Sequence, residues 1–125
     1  MKKLLLILVF CLTLFSQVSY KTAVIDSGAT VSDTVSISPM GYVVGLITPA
    51  GLTDSLTLNV GYLEGGALYP LFNADSSEYV VLVDSAKETA IISYYEDLQA
   101  FRYFSFTSKD EADTTKNITI LYKEE

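Results

Sequence analysis

The sequence predicts an all-β chain folded as a single antiparallel β-sandwich, jelly-roll-like, with about eight strands. Three observations carry that expectation. Apolar and polar residues alternate with a period of two at Leu56, Leu58, Val60 and Tyr62, with Thr57, Asn59 and Gly61 between them. Several other short segments are rich in β-branched and aromatic residues. Clusters of Gly, Pro, Asn, Asp and Ser separate these segments at short intervals.

The 125 residues suit one domain, but the two ends differ in character. Lys2 and Lys3 give a positive start, Leu4 to Phe15 is apolar except for Thr13, and Ser16, Gln17 and Ser19 return the chain to polarity. That is the three-part layout of a signal peptide, so residues 1–19 are read as a signal helix, cleaved after Ser19 or kept as an uncleaved anchor. The apolar run falls short of the roughly 20 residues of a membrane span, which favours a cleaved leader. Residues 20–125 form the β-sandwich domain, its ordered part expected from about Val24 to Tyr122.

Within that domain the strands can be justified in order. Val31, Val35 and Ile37 mark an early one, and Leu56 to Tyr62 is the clearest, with one face on a core and one in water. Gly65 and Gly66 then close a hairpin. Ile118, Ile120 and Tyr122 alternate with Asn117, Thr119 and Leu121, so the chain ends on a strand. Tyr42 to Ile47, Glu78 to Val83 and Phe101 to Thr107 have strand composition without clean alternation, as more deeply buried strands do. Turn residues lie between them at Pro39 to Gly41, Pro49 to Gly51, Asn73 to Ser77 and Lys109 to Thr115. One stretch reads two ways. Ser85 and Glu88 have capping-box spacing, and Ala90, Ile91, Tyr94, Tyr95, Leu98 and Phe101 recur at helical intervals, which fits a helix over Ala86 to Gln99. The β-branched Thr89, Ile91 and Ile92 favour a strand near Glu88 to Ser93, followed by a short helical turn near Tyr95 to Leu98.

Composition excludes much chemistry. The chain has no histidine, which removes the commonest general base, the usual nucleophile triads and most zinc sites. Its one cysteine, Cys11, lies in the leader, so the remainder has no thiol, no disulfide and no cysteine metal ligand. Loss of Lys2 and Lys3 takes the net charge from −7 to −9, and the six remaining cations, Lys21, Lys87, Arg102, Lys109, Lys116 and Lys123, are scattered. Nucleic acid is therefore not an expected partner. No cofactor is needed to explain folding, and the acidity suits solubility outside the cell.

No catalytic or metal-ligating set stands out. Ser85 and Lys87 are explained by a turn, and nothing selects a facing pair among Glu64, Asp75, Glu78, Glu96 and Asp97 for glycoside hydrolysis. Asp110, Glu111 and Asp113 lack the ligand spacing and glycine of a calcium loop. Asn117 to Thr119 spells a glycosylation sequon placed on a strand. Tyrosine is unusually plentiful at nine residues, and ring plus hydroxyl suits packing in the core or at the half-buried margin of a sandwich. If some of them form an exposed platform for a ligand, such as a sugar, Tyr94, Tyr95, Glu96 and Asp97 are the candidates.

The run "VVGLITPAGLTDSLTLNVGYLEGGALYPLF", then "LQAFRYFSFTS" and a final "NITILYK", resembles a family of small phage virion-associated β-sandwich proteins. Gly45 and Pro49, Leu56 to Tyr62, Glu64 with Gly65, and Arg102 with Tyr103 hold the places of its turn and strand motifs. The late strand is also similar to that of discoidin-type carbohydrate-binding sandwiches. The resemblance implies a non-enzymatic capsid decoration or fibre-associated subunit, with protein partners at a virion surface. The leader and the tyrosines point instead to a secreted or cell-surface binding module, for carbohydrate among other ligands, or to a filament subunit. The leader implies an exported protein, virion-associated if the resemblance holds, and either reading makes it a homo-oligomer or an assembly subunit.

Overall fold

The computed structural model describes residues 18–38, 41–52, 55–91, 98 and 101–124. Nine strands occur among them: β1 (Val18–Ile25), β2 (Val35–Ser36), β3 (Gly41–Thr48), β4 (Ser55–Gly61), β5 (Tyr69–Pro70), β6 (Val80–Leu82), β7 (Thr89–Ile91), β8 (Tyr103–Ser108) and β9 (Lys116–Glu124). All pair antiparallel, in two sheets. The first has the order β1-β9-β3-β7, and the second has the order β2-β8-β4, with β5 and β6 both on the far side of β4. The described residues thus form an all-β, sandwich-like fold around one core.

Alternation builds that core. Ala23, Ile25, Val43, Leu46, Ile118, Ile120 and Tyr122 come from the first sheet, and Val35, Leu56, Leu58, Val60, Val81, Phe104 and Phe106 from the second. Each fully buried side chain of this size contributes about 2 kcal/mol relative to exposure. Polar groups that enter the interior are paired. Thr48 Oγ1 donates to the Thr89 carbonyl at 3.3 Å. Ser32 Oγ accepts from the Phe106 N–H at 2.9 Å and donates to the Asp33 carbonyl at 2.8 Å.

Several expectations hold residue by residue. β4 buries Leu56, Leu58 and Val60 as expected, but it ends at Gly61, so Tyr62, expected on the same core face, is exposed instead. β9 buries Ile118, Ile120 and Tyr122. The β4–β5 hairpin turns through Gly65, whose φ of 66° an L-residue adopts only under strain, and the Gly66 N–H donates to the Leu63 carbonyl at 3.0 Å. The strand alternative for Glu88 to Ser93 is realised as β7, so a helix beginning at Ala86 is ruled out: Ala90 and Ile91 pair with Ile47 and Leu46. Residues 92–97, which carry most of the expected helical turn, lie outside the described residues, as does the expected signal helix. At Leu98 the chain turns, its carbonyl accepting from the Phe101 N–H at 3.0 Å.

Other features differ from expectation. β1 was not anticipated: it pairs with β9 along its whole length, from Val18 opposite Lys123 to Ile25 opposite Lys116, and so spans the boundary expected at residues 19 and 20. In β3 the ladder shifts between Val43 and Gly45, which face Tyr122 and Leu121. Val44 is the extra residue of a bulge, so burial changes from odd to even parity between Val43 and Leu46. The Glu78 to Val83 segment proves to be an edge rather than a deeply buried strand, with Val80 exposed. β5 and β6 are two pieces of one edge. Val60 faces Tyr69 while Thr57 faces Val80, so three steps along β4 correspond to eleven along its partner, an excess of eight residues.

Candidate functional site

The inserted residues form a tight loop. Phe72 bridges to Glu78 and the Asn73 N–H donates to the Ser77 carbonyl at 2.7 Å. Asp75 Oδ1 accepts from both the N–H and the hydroxyl of Ser77, and Asn73 Nδ2 donates to that hydroxyl at 3.0 Å. These bonds hold the Asp75 carboxyl below its ordinary pKa, the Ser77 hydroxyl being the largest cause and the Ser77 amide the next. Ser76 takes a φ of 72° at the tip.

Beside this loop lies a cleft of about 350 Å³ lined by Leu71, Phe72, Asn73, Ala74, Tyr79 and Phe101. The described residues that line it supply three aromatic rings and one amide, and none of them is charged. A second cleft, of about 300 Å³, is lined by residues including Thr34, Leu63, Gly66 and Tyr103. Tyr62, Leu63, Tyr69, Phe72 and Val80 are exposed apolar side chains in and beside β4, β5 and β6. Scattered exposed apolar residues are ordinary on any protein, but five along one sheet margin suit contact with a partner.

The candidate platform Tyr94, Tyr95, Glu96 and Asp97 lies outside the described residues. The remaining tyrosines divide. Tyr122 is buried, Tyr42, Tyr79 and Tyr103 are half-buried, and Tyr20, Tyr62 and Tyr69 are exposed. Sequence reasoning missed the Phe72 cleft because its lining is assembled only when the insertion folds back on the β4 margin.

The acidic residues are dispersed. Glu78 accepts from Thr57 Oγ1 at 3.2 Å, and Asp113 Oδ1 stands 3.0 Å from Lys116 Nζ. Lys116 and the Thr114 N–H keep the Asp113 carboxyl below its ordinary pKa. Among the described residues no group of three His, Cys, Asp or Glu side chains is placed to hold a metal ion, and no helix is long and apolar enough to cross a membrane. Ser85 and Lys87 are exposed, and the Ser85 carbonyl accepts from the Gly51 N–H at 3.0 Å, as a turn residue does.

The outer margin of the first sheet is built differently. Asp33 covers β1 at one point: Val24 N–H donates to Asp33 Oδ1 at 2.7 Å, and the Asp33 N–H donates to the Val24 carbonyl at 3.1 Å. Val18 and Tyr20, farther out on the same strand, are exposed.

Comparison with protein-family models, with curated proteins and with solved structures gives no match for this chain.

Proposed function

We propose that the chain is a non-enzymatic structural subunit, exported and displayed at a surface, of the capsid-decoration or fibre-associated kind found on phage particles. The observation that supports it is the strand order. β1-β9-β3-β7 opposite β2-β8-β4-β6 is the arrangement of an eight-stranded jelly roll, with β5 as the outlying part of the interrupted edge. That architecture serves virion and lectin surfaces alike, which fits the resemblance to virion-associated sandwiches while leaving the partner to be found. Exposed apolar side chains along the β4–β6 margin supply contact area, and export follows from the leader-like composition of residues 1–19. The test is co-sedimentation of the native protein with particles or filaments from its source, joined to an intact-mass measurement of its N-terminus. Recovery as a free protein with no assembled structure would sink the reading.

A second reading, a neutral-carbohydrate binding module, is favoured by one observation, the cleft whose described lining includes the rings of Phe72, Tyr79 and Phe101 and the Asn73 amide, with no charged group among it. Ring faces accept the C–H face of a pyranose, and an amide satisfies its hydroxyls. A glycan array comparing the wild type with Phe72→Ala, and with Tyr94→Ala and Tyr95→Ala for the platform expected from the sequence, tests both places. Unchanged binding in all three would remove the reading.

A further inference from the structure

We infer that the cleft between the outer face of the second sheet and the β4–β5 loop binds one neutral sugar ring. This place is distinct from the Phe72 cleft and is tested separately from it. Side chains alternate between the two faces along a strand. Val35 and Phe104 are buried, so Thr34 and Ser36 beside and on β2, and Tyr103 on β8, stand on the outer face, with Ser36 directly opposite Tyr103. Tyr103 also lies opposite Gly61 at the end of β4. The loop over residues 62–68 doubles back onto this face, and a glycine at 61 leaves it room: a Cβ there would stand 2.7 Å from Leu68 Cδ2 and 3.2 Å from the Ala67 carbonyl oxygen. Leu63 and Leu68 thereby help to wall a cleft of about 300 Å³ over the sheet. That volume is at the lower end of the range for small-ligand sites, roughly 300–1,000 Å³. The wall is what separates this place from an ordinary solvated sheet face.

The lining sets the chemistry of the ligand. Thr34, Ser36 and Tyr103 each bring a hydroxyl, a group that both donates and accepts, and none of the three hydroxyls is bonded to another described residue. Leu63, Leu68 and the Tyr103 ring supply apolar contact, and at Gly65 a Cβ would meet nothing within 4 Å, so the rim is open. None of the described lining residues is charged, although the chain holds 15 acidic and 8 basic residues. An ionic ligand would find no counter-charge in the cleft, and an anion would also meet the field of a net charge of −7. A purely apolar ligand would strip water from three hydroxyls and return no hydrogen bond. A pyranose carries hydroxyls around its rim and C–H groups on its faces, so it satisfies the polar and the apolar lining together.

The test is titration of the purified, isotope-labelled full chain with methyl glycosides of neutral hexoses and N-acetylhexosamines, followed by amide NMR. A sugar that binds should shift the Gly65 and Gly66 amides, and its C–H protons should show contacts to the Leu68 methyls and the Tyr103 ring. Tyr103→Phe keeps the ring and removes one hydroxyl, and Ser36→Ala removes another at an exposed position. Each should weaken binding about fivefold while far-UV circular dichroism stays unchanged. Full affinity in both variants, or a preference for a methyl glucuronide over the neutral sugars, would overturn the inference. A sugar that shifts the Asn73 and Ala74 amides and leaves Gly65 and Gly66 unmoved would overturn it too, and would support the Phe72 cleft instead. No binding by any neutral sugar, up to the limit of its solubility, would end both.

Discussion

Lys116 closes the interior at the start of β9, its stem buried and its ammonium turned toward Asp113. The same ammonium lies over Gly51, which has a φ of 85°, and a Cβ added there would collide with Lys116 Nζ. Gly51→Ala puts a side chain on left-handed backbone and should cost about 1 kcal/mol, read from the shift of a urea-unfolding midpoint, while the flexible end of Lys116 can swing aside from the new Cβ. The Asp113 carboxylate adds a pH dependence whose sign follows from its cause. Its folded pKa lies below the ordinary 3.8, so the folded state binds fewer protons than the unfolded chain as the solution turns acid. The stabilisation is complete above the unfolded pKa and disappears as pH falls through the folded one. Asp75 behaves in the same way. The thermal midpoint should therefore decline below roughly pH 4, and Asp113→Asn should decline less steeply over that range. Equal slopes in the two proteins would show that the Lys116 contact does not persist in solution.

At the scale of elements, legibility followed regularity. β4 and β9 could be read directly because each residue from Leu56 to Val60 and from Ile118 to Tyr122 keeps its face. β3 resisted because Val44 is an additional residue, and the parity of burial changes across it. β1 was hidden for another reason. Tyr20 to Ile25 shows no clean alternation, only Ala23 and Ile25 are buried, and the strand begins inside the segment that reads as leader. The β5–β6 edge was obscured by its insertion, whose turn residues Asn73 to Ser77 look like an ordinary connection between separate strands. The excess of eight residues makes this testable. Deleting Phe72 to Tyr79 joins Leu71 to Val80 and places them opposite Leu58 and Thr57 in a single register. The shortened chain should keep its fold, with a loss on the order of 1–3 kcal/mol from the missing Tyr79 packing. An unfolded product by proton NMR would show that the insertion is integral to the sheet. The candidate cleft was illegible for the same reason, since it exists only where that loop meets Phe101.

Over the whole molecule, pairing is dominated by residues distant in sequence. β1 lies against β9, β2 against β8, and β9 sits between β1 and β3. Fold class could be read from the sequence because it needs only local periodicity and turn chemistry; which strands are neighbours could not, because no local signal encodes it. Truncation after residue 115 removes Ile118, Ile120 and Tyr122 and takes away the partner of both β1 and β3. The truncated chain should be unfolded by circular dichroism and cut rapidly by protease, where loss of an outer strand would be survivable. The position of β9 also bears on biosynthesis. The first sheet cannot close until β9 has been made, so the strands before it wait for their central partner. Any process that needs an unstructured chain has, in the arrival of β9, the event that ends its opportunity.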